Sequence, residues 1–222
     1  MISSAFSDCP PEEWPSAETN QARVMLQKAH LAATDFLRSF EASRKGKKGG
    51  NSTDAEQDQL RAMLVFAAAG LDAMVKRLVR NALPALLARG DQKTDEQLKS
   101  FVSRRAKADP DYKFLAEAVS SPNPRGRVIE AWMDDLTAGS LQSSPALERV
   151  ARAFDIAATA QGRDALARAF LARNQIVHEM DLEPSQNRAR RQRSREAMFA
   201  LTQQVLSTAA VFLAEVEKKL GH

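Results

Sequence analysis

Thr53 and Glu56 are spaced as a capping box, and a long apolar-periodic run follows them. Leu60, Met63, Leu64, Phe66, Ala67, Leu71, Met74, Val75, Leu78 and Val79 recur at helical spacing. A run of that length commits the chain to one long helix starting near Thr53, which Pro84 is expected to kink or end. An amphipathic helix this long must be covered along its apolar side, so the rest of the chain has to supply a bundle. Alanine and leucine dominate the apolar residues and only 6% of the chain is aromatic, which favours helices over strands.

The remaining elements follow the same logic. A first helix is expected over about Ala17 to Ala42, with Val24, Leu26, Ala29, Ala33, Phe36, Leu37 and Phe40 near its apolar side. Residues 1–16 hold three prolines and read as an irregular arm. Arg44 to Asn51 reads as a flexible basic linker. Residues 91–143 read as a helical insert, with short helices near 94–107, 111–120 and 125–137 separated by proline- and glycine-containing turns. Ser144-Pro145 opens a further helix. Beyond Gly162 a helix is expected from about Arg163 to Met180, stopped by Pro184, and a last one from about Gln186 to Leu220. The fold class is all-α: an antiparallel bundle over residues 17–222 carrying an insert.

Several function classes are excluded early. The longest mostly apolar run, Ala62 to Leu71, is far short of the roughly 20 residues a membrane span needs. No secretory leader is visible at the N-terminus, so a cytoplasmic location without a membrane is expected. Cys9 is the single cysteine, and His30, His178 and His222 are not paired at metal-binding spacing. No metal or cofactor is expected. Gly46 to Ser52 lacks the spacing of a phosphate loop, and no Gly-x-Ser-x-Gly elbow occurs.

Chemistry concentrates in residues 173–178, Arg-Asn-Gln-Ile-Val-His. An arginine can hold a phosphate and an imidazole can move a proton near neutral pH. By helical angle, Leu166, Phe170, Val177 and Met180 form one stripe with Arg173 in its middle. His178 then lies about 140° round from Arg173, which argues for two copies of the helix facing each other across a twofold axis. The plainer account makes Arg173 the ion-pair partner of Asp72 and His178 a complement to the helix dipole. Directly downstream, Arg188, Arg190, Arg191, Arg193 and Arg195 fall within eight residues. The formal net charge is +4, so without these five the chain is close to neutral. Arg188, Arg191 and Arg195 would share one helical stripe and grip a polyanion such as RNA. The alternative is a solvated helix face.

The R-N-x-x-x-H pattern of Arg173, Asn174 and His178, with its flanks FLARNQIVHEMD and a long final helix ending FLAEVEKKL, resembles the HEPN superfamily. FAAAGLDAMVKRLV resembles that family's earlier bundle helix, with Asp72 as its acidic residue near the site. The likeness covers about residues 55–90 and 145–220. It implies a dimeric helical bundle whose two motifs form one cleft, and a metal-independent endoribonuclease with Arg173, Asn174 and His178 as catalytic residues. Members serve as toxins with antitoxin partners, in anti-phage defence and in RNA processing. Members controlled by tyrosine modification carry that tyrosine where this chain has Met180. A non-catalytic RNA- or protein-binding module, or a scaffold subunit, is the competing reading.

Overall fold

The computed structural model describes residues 6, 16–46, 51–109, 111–157, 163–183 and 189–221. Cys9, residues 47–50 of the basic linker, Gly162, Pro184, Arg188 and His222 lie outside the described residues. The described chain is all-α: α1 (Ala17–Arg44), α2 (Asp54–Ala88), α3 (Gln92–Ala108), α4 (Lys113–Val119), α5 (Pro124–Thr137), α6 (Ser144–Phe154), α7 (Arg163–His178) and α8 (Arg195–Lys219). Its one extended pairing is an isolated antiparallel bridge between Leu182 and Arg190.

The capping box forms as the sequence requires. Glu56 N donates to Thr53 Oγ1 at 3.3 Å, and Thr53 N donates to the Glu56 carboxylate at 2.8 Å. α2 then runs through Pro84 and ends only after Ala88. Pro84 therefore does not end the helix; Leu83, Leu86 and Leu87 remain buried on either side of it, and that packing sustains the helix past the missing N–H.

α1, α2 and α8 pack together, and α7 closes the bundle against α2 and α8. Leu60, Met63, Leu64, Leu71, Met74 and Leu78 of α2 are wholly buried in the centre. The α1–α2 pair is the most extensive contact and includes a close approach at Gly70, where an added Cβ would fall 2.1 Å from the Ala29 Cβ. Phe154 of α6 meets Phe212 of α8 edge to face at 6.1 Å. Residues 91–143 form α3, α4 and α5, which pack on one another, with α3 and α5 also against α2 and α6. Phe6, from the proline-rich arm, is buried against Phe199 with ring centroids 4.7 Å apart.

The final helix departs from expectation in two ways. It starts at Arg195, because Ser194 caps it by accepting from Ala197 N at 3.1 Å. It is also apolar and long enough to cross a membrane by length and composition, unlike the short run singled out in the sequence. Its Met198, Val205, Leu206, Ala209, Phe212, Leu213 and Val216 are wholly buried inside the bundle, which accounts for that apolarity as core.

The α1–α2 contact generates a stability prediction. Gly70→Ala should destabilise the fold by about 1–3 kcal/mol through overpacking against Ala29, although alanine is the better helix former. Urea unfolding of the two proteins checks this; equal or higher stability of the variant would contradict the close approach.

Candidate functional site

The motif sits in the last two turns of α7. Leu166, Ala169, Phe170 and Ala172 face the bundle. The stripe inferred from helical angle holds only over its first half, because Val177 is exposed and Met180 is 65% exposed beyond the helix end. Arg173 is half-buried at the edge of the core rather than amid an apolar stripe. Its terminal nitrogen Nη1 donates to Asn174 Oδ1 at 3.0 Å and lies 3.3 Å from His178 Nε2. One helix therefore does bring the three residues together, contrary to the angular argument. The arginine side chain is long enough to sweep round the helix surface and meet an imidazole on the next turn.

The chemistry of that contact is specific. A guanidinium can only donate, so a hydrogen bond between the two requires Nε2 of His178 as the acceptor. No carboxylate among the described residues pairs with Arg173, and its Nε is buried without an acceptor. Asp72 is not its partner. That carboxylate pairs with Lys76 at 2.9 Å and accepts from Leu141 N at 2.7 Å, tying α2 to the loop before α6. The cluster thus contains a cation and no compensating charge. Leu171 is 58% exposed and shares the solvent face of α7 with Asn174 and His178.

The helix ends in two consecutive left-handed residues, Met180 (φ 52°) and Asp181 (φ 56°). Such backbone costs roughly 1–2 kcal/mol per non-glycine residue. It is held by Asp181 N donating to Gln175 O at 2.8 Å and by the side chain of Asp181. That carboxylate is fully buried. It accepts from Arg61 Nε of α2 at 2.9 Å and from Arg193 at 2.5 and 3.1 Å, with Arg191 at 3.8 Å. Burial opposes its ionisation, but the hydrogen bonds from Arg193 and Arg61 outweigh burial and hold the carboxyl below its ordinary value. Arg61 also donates to Arg191 O, and Gln57 exchanges two hydrogen bonds with the backbone of Arg193. Arg193 in turn donates to the Gln175 side chain at 2.9 Å, inside the motif. Sequence reading missed Asp181, Arg61, Gln57 and Gln175. One signal was present: Gln57 and Arg61, four apart, place polar groups on the buried side of α2.

The basic segment is placed differently from expectation. Because α8 begins at Arg195, Arg191 lies outside any helix and does not share a helical stripe with Arg195; Arg188 lies outside the described residues. Arg190 pairs with Asp58 at 2.6 Å, a hydrogen bond that pulls the aspartate below its usual carboxylate range. Arg195 pairs with Glu41 and lies 5.8 Å from the centre of the Phe199 ring. Arg190, Arg191, Arg193 and Arg195 thus each have an acidic neighbour in the fold. Arg193 and Arg195 also line a cleft of about 650 Å³, with Arg44, Lys45, Glu41 and Glu196. Among the described residues no three His, Cys, Asp or Glu side chains gather as a metal site. No protein-family model, curated protein or solved structure matches this chain.

Asp181 carries the prediction here. Removing its charge leaves Arg61 with Asp58 alone and Arg193 with no carboxylate among the described residues; breaking a buried pair of this kind costs about 3–5 kcal/mol, so Asp181→Asn should be strongly destabilised. Because the folded state depresses the pKa of Asp181, its contribution is complete above the unfolded value near 4. It declines as the pH falls from there through the folded value. Denaturant titrations between pH 7 and pH 2 should show the variant losing less stability on acidification than the parent; parallel curves would contradict the assignment.

Proposed function

We propose that the protein is a metal-independent endoribonuclease of the HEPN type, acting in the cytoplasm as a toxin or defence effector. The observation that carries this reading is the Arg173–His178 contact: a cation with no carboxylate partner among the described residues, held beside an imidazole nitrogen. Such a pair lacks only an anion. A phosphodiester would draw Arg173 away from His178 and free Nε2, whose lone pair accepts the proton of the 2′-hydroxyl. The oxygen left behind attacks the adjacent phosphorus, the P–O5′ bond breaks, and the leaving 5′-oxygen takes a proton from the His178 imidazolium. Arg173 stabilises the charge on the phosphoryl oxygens, and Asn174 orients them by hydrogen bonding. The products are a 2′,3′-cyclic phosphate and a 5′-hydroxyl. DNA lacks the nucleophile and survives.

Homodimerisation is part of this reading. It is supported by the exposed Leu171, Val177 and Met180 beside the motif; a second copy covering them would seat two sets of Asn174 and His178 in one cleft. The cleft lined by Arg44, Lys45, Arg193 and Arg195 offers RNA a cationic path, linked to the motif helix by the Arg193–Gln175 hydrogen bond. One observation favours the second reading, a non-catalytic module for protein contacts: Arg190, Arg191, Arg193 and Arg195 already have acidic neighbours.

Induced expression separates the two. The nuclease reading predicts slowed growth, relieved by His178→Ala or Arg173→Ala at unchanged protein level and helicity, with cleavage by either variant reduced at least about 100-fold. Undiminished toxicity and cleavage by folded His178→Ala would sink the catalytic role.

A further inference from the structure

A second cluster of arginines lies away from α7, at the junction of α3, α5 and α6. A small cavity of about 60 Å³ opens there, lined by Ser100 and Arg104 of α3, Trp132 of α5, and Arg149 and Arg152 of α6, with Gln97 beside them. This space is several times the ~10–15 Å³ that one water needs, yet too small for a nucleoside.

The charges around it do not balance. Arg149 donates to the carbonyl oxygens of Asp135 at 3.0 Å and Leu136 at 3.4 Å, which anchors it to the end of α5. Its Nε is buried without any acceptor. Arg104 reaches one carboxylate, Asp135, at 3.8 Å, outside hydrogen-bond distance. Among the described residues no carboxylate pairs with Arg149 or Arg152. Three arginines therefore line one polar hollow with a single loosely placed acid, Arg149 half-buried and Arg104 and Arg152 exposed at its rim. Like charges so arranged repel, and a buried N–H without an acceptor costs about 1–3 kcal/mol. One occupant answers both problems: an oxyanion able to accept several hydrogen bonds at once. Guanidinium forks match the oxygens of a phosphate, and Ser100 and Gln97 supply further polar contacts.

We infer that the cavity bounded by Arg104, Arg149 and Arg152 is a binding site for a phosphate group, either free phosphate or the terminal phosphate of a monoester. An internal phosphodiester does not fit, because both flanking sugars would have to enter. The site clamps α3 and α5 of the insert to α6 of the bundle, so occupancy stiffens that junction. It is independent of the nuclease reading.

Calorimetric titration and thermal unfolding at fixed ionic strength, with chloride as the balancing ion, test it. Inorganic phosphate should bind one to one and raise the melting temperature by a few degrees. Adenosine 5′-monophosphate binding equally assigns a monoester site; phosphate alone binding assigns free phosphate; adenosine should not bind in either case. Arg104→Gln/Arg152→Gln spares the α5 anchor and should weaken binding at least about tenfold with helicity retained. Arg173→Ala should leave binding unchanged. The assignment is overturned if phosphate stabilises no more than chloride, if the double variant binds as the parent does, or if Arg173→Ala abolishes binding, which would place the anion at α7.

Discussion

The buried carboxylate of Asp181 fastens together the elements around the C-terminal end of α7. It lies three residues beyond His178, in left-handed backbone, and is gripped by Arg61 of α2 and Arg193 of the segment leading into α8. Three parts of the chain far apart in sequence thereby meet at one charge. The Coulomb attraction has to offset the desolvation of Asp181 and Arg61, which are 0% and 3% exposed, and it does so because hydrogen bonds reach both oxygens. That anchor acts with the Gln57–Arg193 hydrogen bonds, the Leu182–Arg190 bridge and the Arg190–Asp58 pair to hold the turn after α7 and the segment before α8 on course. The geometry of Asn174 and His178 is inherited from it through Gln175, which is bonded to the turn by its carbonyl and to Arg193 by its side chain.

Charge is sorted in a consistent way around this anchor. The described arginines after the motif are matched to acids on α1, α2 and the α7 turn: Arg190 to Asp58, Arg193 to Asp181, Arg195 to Glu41. They act first as the fastening of an irregular segment that has few apolar residues of its own. Arg173 differs from them: among the described residues its side-chain partners are an amide and an imidazole. A cation maintained without a counter-ion beside a proton acceptor is costly for stability and useful for handling an anion. That contrast between matched and unmatched arginines separates scaffold from candidate chemistry more sharply than the density of arginines along the sequence.

The bundle itself was legible because its signals are local. The capping box at Thr53 and Glu56, the alternation of apolar residues along α1 and α2, and the proline after Ser144 each act within one or two turns. Convergence of Arg173, Asn174 and His178 was legible as a motif but not as a geometry, since rigid helical angles ignore the reach of a long side chain. The start of α8 was misplaced because apolar spacing and the arginine run were allowed to extend the helix backwards past Ser194, whose cap is the local signal that settles it. Of the Asp181 anchor, the sequence carries only the trace of Gln57 and Arg61 on the buried side of α2. Its partners lie 120 and 12 residues away, and a single buried pairing of that separation leaves no periodic trace.

The central claim is that Arg173 and His178 cut RNA using the substrate's own 2′-hydroxyl. The most direct measurement is the end chemistry of cellular RNA incubated with the purified protein in EDTA. The account predicts fragments ending in 2′,3′-cyclic phosphate and beginning with 5′-hydroxyl. Fragments carrying 3′-hydroxyl and 5′-phosphate, or RNA left intact, would contradict it.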